Sequence, residues 1–218
     1  MPLLTDPAAI AGLVVREVRT GSRDGSPTRI VIARRTYATD QSDLWDALTN
    51  ADRIPRWFLP VSGELKVGGR FQTEGNAGGV VEECDEPQRF AVTWEMGPQV
   101  SWVTVTLTVD GASTVLELAH EAPVMPEFWD QYGPGAVGVG WDLALMALGL
   151  HLATGEAVDP AEGMAFPATP EGLVFVEVAA KGWADAAVAD GDEATAAHES
   201  AQRTITFYTV EPEDTPES

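Results

Sequence analysis

The chain has 218 residues, a formal net charge of −21 and a single cysteine. This length suits one large domain, or one domain with an extension, and about 150 residues already bury a core that needs no covalent staple. Nucleic acids and anionic membranes are polyanions, so the net charge argues against both as partners. The lone Cys84 excludes an internal disulfide, is typical of a reducing compartment, and favours a cytoplasmic location.

Residues 1–28 form an N-terminal extension that can supply an added strand. Its apolar run "AAIAGLVV" follows no basic stretch, so it does not resemble a signal peptide. No segment reaches the roughly 18 uninterrupted apolar residues of a membrane span. We therefore expect no membrane partner.

Residues 29–49 predict a strand and then a helix. "RIVIARRTY" (29–37) is rich in β-branched residues, which favours a strand. "ATDQSDLWDALTN" follows, and either Thr39 or Asp40 is placed to cap a helix whose apolar face carries Leu44 and Trp45.

The stretch "TNADRIPRWFLP" (49–60) places two rings between two prolines. Asp52 is positioned to cap a single helical turn that Pro60 ends. Trp57 and Phe58 follow this turn, where they either plug an open end of the core or contact a ligand. The two interpretations are compatible, because aromatic side chains fill space efficiently.

From residue 63 to 120 the hydrophobic period changes to two, which predicts antiparallel strands in a meander. "GELKVGGRFQTE" predicts two short strands around Gly68, and "GGVVEECDEPQRFAVTWEM" predicts two more, separated at Glu86. "VSWVTVTLTVDGASTVLELAH" predicts a hairpin turning at Asp110-Gly111. The alternation points one set of side chains inward: Phe71, Phe90, Val92, Trp94, Val103, Val105, Leu107, Leu116, Leu118 and His120.

"AVGVGWDLALMALGLHLATG" (136–155) predicts a long helix ended by Gly155. Trp141, Leu145, Leu148 and Leu152 recur at helical spacing and share one face. The preceding "GPGAVG" has the letters of a dinucleotide fingerprint, but it lacks the strand that such a fingerprint follows. We interpret its glycines as a flexible lead into the helix and as positions of close packing.

Residues 156–218 form an acidic, mainly helical C-terminal extension that holds 14 of the 34 acidic residues. Thr169 caps a helix with two apolar stripes, one containing Phe175 and Ala179, the other Val176 and Trp183. Alanine-rich helices with a tryptophan usually pack against a neighbour. We expect this extension either to pack on the rest of the chain or to form a homodimer contact or a lid.

Together these segments resemble the START-like (SRPBCC) superfamily, and within it the family of activators of the heat shock protein 90 ATPase. The resemblance lies in five stretches, which span residues 29–153: "RTYATDQSDLWDALTNADRIPRWF", "GELKVGGRF", "GGVVEECDEPQRFAVTW", "STVLELAH" and "GVGWDLALMALGLHL". It implies an α+β helix-grip fold over residues 29–155, with a curved antiparallel sheet wrapped around a long C-terminal helix.

The resemblance and the inward rings predict a cavity that binds a small hydrophobic or aromatic molecule, without an identified reaction. We expect its lining to be Trp57, Phe58, Phe71, Trp94, His120, Trp141 and Leu145. Two alternatives are implied by relatives: a co-chaperone-like regulator, or a polyketide cyclase/aromatase-like enzyme using His120 with Glu82 or Asp142. We predict no cofactor and no metal site, since the three histidines are far apart and only one cysteine is present.

Overall fold

The computed structural model describes residues 6–210, which form one antiparallel sheet and a layer of helices. The strands are β1 (Val15–Arg23), β2 (Ser26–Tyr37), β3 (Val61–Gly63), β4 (Arg70–Thr73), β5 (Gly78–Asp85), β6 (Arg89–Met96), β7 (Gln99–Asp110) and β8 (Ser113–Pro123). The α-helices are α1 (Pro7–Ala11), α2 (Gln41–Thr49), α3 (Pro126–Tyr132), α4 (Gly135–Thr154), α5 (Pro160–Ala165), α6 (Pro170–Asp190) and α7 (Ala194–Thr209). Two 3₁₀ turns lie at Ile54–Arg56 and Phe166–Ala168.

The eight strands are ordered β1-β2-β8-β7-β6-β5-β4-β3, and each neighbouring pair is antiparallel. The register aligns one buried row across six of them, in which every member but one is a valine. Because strand side chains alternate between faces, this row defines the inner face of the sheet. Its members are Val18, Val31, His120, Val103, Val92 and Val81.

The helices cover only part of that inner face. The long helix α4 packs on β2, and α6 packs beside α4 on β1. At their crossing Gly138 lies against the ring of Trp183, where a Cβ added to the glycine would come within 2.2 Å of the ring. The glycines of "GPGAVG" were predicted to be positions of close packing, and the contact with Trp183 gives Gly138 this role. Over β4–β8 neither α4 nor α6 packs as extensively as on β2 and β1, and Trp141 of α4 reaches Trp94 and His120 there. The candidate functional site lies on this part of the sheet.

One buried carboxylate joins three distant segments. Oδ2 of Asp142, on α4, accepts from Nε of Arg16 on β1 (3.0 Å) and from the indole N–H of Trp183 on α6 (2.8 Å). Burial raises the pKa of Asp142 to about 6, and Arg16 opposes that shift. The extensions at both ends of the chain are therefore anchored to the same residue of α4.

The helix α4 is long and apolar enough to cross a membrane by length and composition alone. Its apolar character has another cause, because α4 packs against the sheet on one side and against α6 on another. Asp142 in its middle is fully buried and paired with Arg16. We therefore interpret α4 as a core helix with two buried faces.

Three local predictions need correction. The carboxylate of Asp40 caps α2 as expected, but Asp52 caps nothing: the 3₁₀ turn starts after Arg53, and Asn50 instead accepts the backbone N–H of Asp52. The strand β3 ends at Gly63, the first residue of "GELKVGG", and the other residues of this stretch form a connection to β4. Finally, residues 126–132, for which no helix was predicted from the sequence, form the exposed helix α3.

Candidate functional site

A cavity of about 290 Å³ lies between the inner face of β4–β8 and the segment from α2 to β3. This volume lies just below the range of about 300–1,000 Å³ that is usual for small-molecule sites. The exposed lining residues Leu65, Cys84 and Glu86 mark its opening, near the β3–β4 and β5–β6 connections. The remaining lining is Trp45, Leu48, Thr49, Ile54, Trp57, Phe58, Val61, Phe71, Thr73, Val81, Phe90, Val92, Trp94, Val103, Val105, Leu118 and Trp141.

Five of the seven predicted site residues line this cavity and form an unbroken series of ring contacts. Trp57 contacts Phe58 (centroids 5.5 Å apart), Phe58 stacks on Trp141 (6.4 Å), Trp141 contacts Trp94 (5.2 Å), and Trp94 contacts Phe71 (6.4 Å). These rings come from the turn after α2, from α4, and from two strands. Trp57 and Phe58 therefore form part of the cavity wall as well as closing the core beside α2.

His120 lies behind this wall and outside the cavity lining. Its Nδ1 accepts the indole N–H of Trp141 (3.0 Å), and its Nε2 is 2.8 Å from Oγ of Ser101. Since Ser101 gives its own hydrogen to the carbonyl of Trp94 (3.0 Å), Nε2 carries the proton and donates to Ser101. Burial lowers the pKa of His120 to about 4, so the ring is neutral at pH 7.

The hydrogen bonds of His120 correct its predicted role as a lining residue. The two aromatic walls, Trp141 and Trp94, are linked through His120 and Ser101, and both imidazole nitrogens are used in that link. Trp141 consequently presents its ring to the cavity while its N–H is occupied. The periodicity of β8 placed His120 on the inner face correctly, but it could not reveal that an indole covers the imidazole.

Leu145 also lies outside the cavity lining, contrary to the prediction. It is one helical turn beyond Trp141, and its backbone carbonyl accepts hydrogen bonds from Arg35 and Tyr37 on β2 (both 2.9 Å). At that point α4 packs directly on the sheet. Leu145 shares a helix face with Trp141, but this does not place it in the cavity lining, because the cavity extends along only part of α4.

The acid–base pair required by the enzyme hypothesis is not formed. Glu82 is 3.9 Å from Arg23 on the outer face of the sheet. Asp142 is bonded to Arg16 and Trp183, as described above. His120 bonds to neither of these carboxylates. Among residues 6–210, moreover, no group of three or more His, Cys, Asp or Glu side chains is arranged to hold a metal ion.

The sequence prediction missed two aspects of the lining. Trp45 was assigned only to the apolar face of α2, whereas its ring also lines the cavity and contacts Phe90 edge-on (5.8 Å). Cys84 reaches the cavity because a β-bulge between Val81 and Glu83 shifts the alternation of β5. The bulge separates Cys84 from Glu82, which an uninterrupted period of two would place on the same face.

An open, curved antiparallel sheet, a long helix on its inner face and a cavity between them define an α+β helix-grip protein of the START-like class. The chain belongs to the family "Activator of Hsp90 ATPase homolog 1-like protein", whose sequence model matches residues 38–153. That range contains every residue of the cavity lining.

Solved structures agree with this assignment. CalU16 from Micromonospora echinospora is 28% identical in its crystal structure, with a TM-score of 0.64, and the match covers 79% of this chain and 97% of CalU16. Its solution structure gives 27% identity, a TM-score of 0.67 and coverages of 82% and 97%. DynU16, from the dynemicin biosynthetic locus, shares the fold at 21% identity and a TM-score of 0.52, with coverages of 59% and 48%. No curated protein sequence matches the chain.

Proposed function

We propose that this protein binds a small, largely apolar or aromatic molecule in the cavity between β4–β8 and α2. The observation that supports this proposal is the continuous aromatic wall around about 290 Å³ of space. Protein interiors are normally close-packed, so an unfilled volume among large rings favours a removable guest. By volume it would hold about ten water molecules, at about 30 Å³ each.

The position of the cavity suits reversible binding. Its opening lies beside connections between strands, so a guest can enter without displacing α4 from the sheet. Its aromatic walls are held by hydrogen bonds that do not involve the cavity, such as the one from the Trp57 indole to the Ala47 carbonyl (2.9 Å). A site whose walls are fixed in advance loses little side-chain entropy on binding.

The proposal is tested by filling the cavity. Val92→Phe on β6 adds a ring to the cavity wall, and Val81→Phe does so from the neighbouring strand. Using tetralin, a bicyclic hydrocarbon, as the probe, we expect either change to weaken binding by about tenfold or more, because overpacking costs about 1–3 kcal/mol. Binding is measured by titration with ¹H–¹⁵N NMR.

Val109→Phe is the matched control, because it makes the same chemical change at an exposed position outside the cavity. We expect tetralin affinity to be unaltered in this variant. Equal affinity for tetralin in the wild type and in all three variants would contradict the proposal. Native mass spectrometry of the purified protein additionally reports any retained small molecule and the number of subunits.

A further inference from the structure

The aromatic wall of the cavity also contains polar groups, which are the indole N–H groups of its tryptophans. The chain contains seven tryptophans, and four of them donate their indole N–H to a protein acceptor. Those four are Trp57, Trp129, Trp141 and Trp183. Within the described residues 6–210, the indole N–H groups of Trp45, Trp94 and Trp102 have no protein acceptor.

Two of these three tryptophans, Trp45 and Trp94, line the cavity. Trp45 is 6% exposed and Trp94 is half-buried. Neither indole nitrogen is sealed from solvent, because the buried side-chain nitrogens and oxygens without a partner among residues 6–210 belong to Arg29, Arg35, Asp142 and His151. A guest that covers such an N–H without accepting its hydrogen bond would leave it with the full desolvation cost. The third, Trp102, lies on the outer face of β7 under the guanidinium of Arg23.

The remaining polar side chains of the lining offer few competing donors. The hydroxyl groups of Thr49 and Thr73 give their hydrogens to the backbone carbonyls of Trp45 and Ala77. No lysine, arginine or histidine lines the cavity in the part of the chain that the structure describes. The one carboxylate, Glu86, is exposed at the opening. An anionic ligand would therefore be buried without a cation to balance it.

We infer that the guest is an apolar ring compound carrying a neutral hydrogen-bond acceptor, such as a ketone or ether oxygen, which receives the free indole N–H of Trp45 or Trp94. This inference rests on the proposed function, because it names the ligand class for the same cavity. A neutral oxygen satisfies the indole at modest desolvation cost, whereas a pure hydrocarbon leaves the indole unpaired and a carboxylate lacks a counter-ion.

The test compares two probes of similar shape, tetralin and 1-tetralone, which differ by one carbonyl oxygen. The measured quantity is the ratio of their dissociation constants in the wild type and in Trp45→Phe, Trp94→Phe and the double variant. Comparing ratios between variants cancels the different solubilities of the probes. Loss of one neutral hydrogen bond should raise the dissociation constant of 1-tetralone relative to that of tetralin. We expect this ratio to rise by about three- to tenfold in at least one single variant.

Trp102→Phe is the control, since it makes the same substitution on the outer face and should leave the ratio unchanged. A second readout requires only wild-type protein: an indole N–H resonance of Trp45 or Trp94 should move downfield with 1-tetralone and not with tetralin. Tetralin binding with an unchanged ratio in all variants and no selective indole shift would overturn this inference while leaving the proposed function standing. Absence of binding by both probes would overturn both.

Discussion

His120 is the only polar member of the valine row, and burial decides its protonation state. Its two nitrogens join Trp141 to Ser101, and thereby to Trp94, in the neutral form with the proton on Nε2. Protonation would place a second proton on Nδ1, which would then face the indole N–H of Trp141 instead of accepting from it. The aromatic wall of the cavity is thus coupled to the charge of one imidazole.

This coupling predicts a loss of stability in acid. The folded-state pKa of about 4 lies below the ordinary value of 6.5, so the stability that neutral His120 contributes is present above pH 6.5 and is lost as the pH falls through 4. At pH 7 we expect His120→Asn to have a lower free energy of unfolding than the wild type. This difference should shrink by about 3 kcal/mol between pH 7 and 4, because only the wild type has the imidazole of His120.

Chemical denaturation of both proteins at pH 7, 5.5 and 4 measures this difference. Asp142, whose raised pKa favours the folded state below pH 6, has the opposite effect, but it is present in both proteins and cancels. A wild-type to variant difference that stays constant from pH 7 to 4 would show that His120 does not titrate in this window.

At the scale of elements, the packing of α4 on α6 depends on a glycine. A Cβ at Gly138 would lie 2.2 Å from the buried ring of Trp183, whereas a Cβ at Gly163 in α5 would meet nothing within 4 Å. The two positions are both helical glycines, so they differ mainly in what surrounds them.

Gly138→Ala is therefore expected to lower the free energy of unfolding by about 2 kcal/mol or more, since the two helices must move apart. Gly163→Ala should leave stability unchanged or raise it by up to about 1 kcal/mol, because alanine is the better helix former. Thermal and urea denaturation of both variants measure the contrast. Equal effects at the two sites would contradict the packing role of Gly138.

The sequence predicted the sheet better than the helices. Alternation located β5 to β8 and placed Phe71, Phe90, Val92 and Trp94 on the inner face, because a strand with one buried face has a period that is visible in the residues themselves. For α4 the same approach failed at Leu145, since a helix buried on two faces has no single apolar stripe. Contacts between residues distant in sequence, such as Trp141 with His120, leave no local signal.

For the molecule as a whole, the C-terminal extension packs within the chain. The helix α6 covers β1 and α4, and its two predicted apolar stripes are largely buried there. The alternative of a homodimer through these helices would have to use other faces of α6 and α7. Neither helix contributes a residue to the cavity lining.

We predict that a chain ending at residue 158 loses cooperative unfolding or becomes insoluble. Removal of α6 exposes the side of α4 around Gly138, which packs against the ring of Trp183, and leaves Asp142 without its indole donor. A chain ending at residue 210, which keeps α6 and α7, is the control and should retain its melting temperature within about 2 °C. Near-ultraviolet circular dichroism and thermal melts distinguish the two. A shortened chain that melts sharply near the full-length temperature would show that α6 is dispensable.

The cavity lies on the inner face of β4–β8, whereas the helical extension packs on α4 and on the edge strand β1. Three strands separate the lining residues of β4–β6 from β1, so substitutions there act far from the contacts that hold the two extensions. Trp141 is the exception, because it is next in sequence to the anchoring Asp142. Ligand preference can change by mutation at one margin while the architecture is preserved at the other.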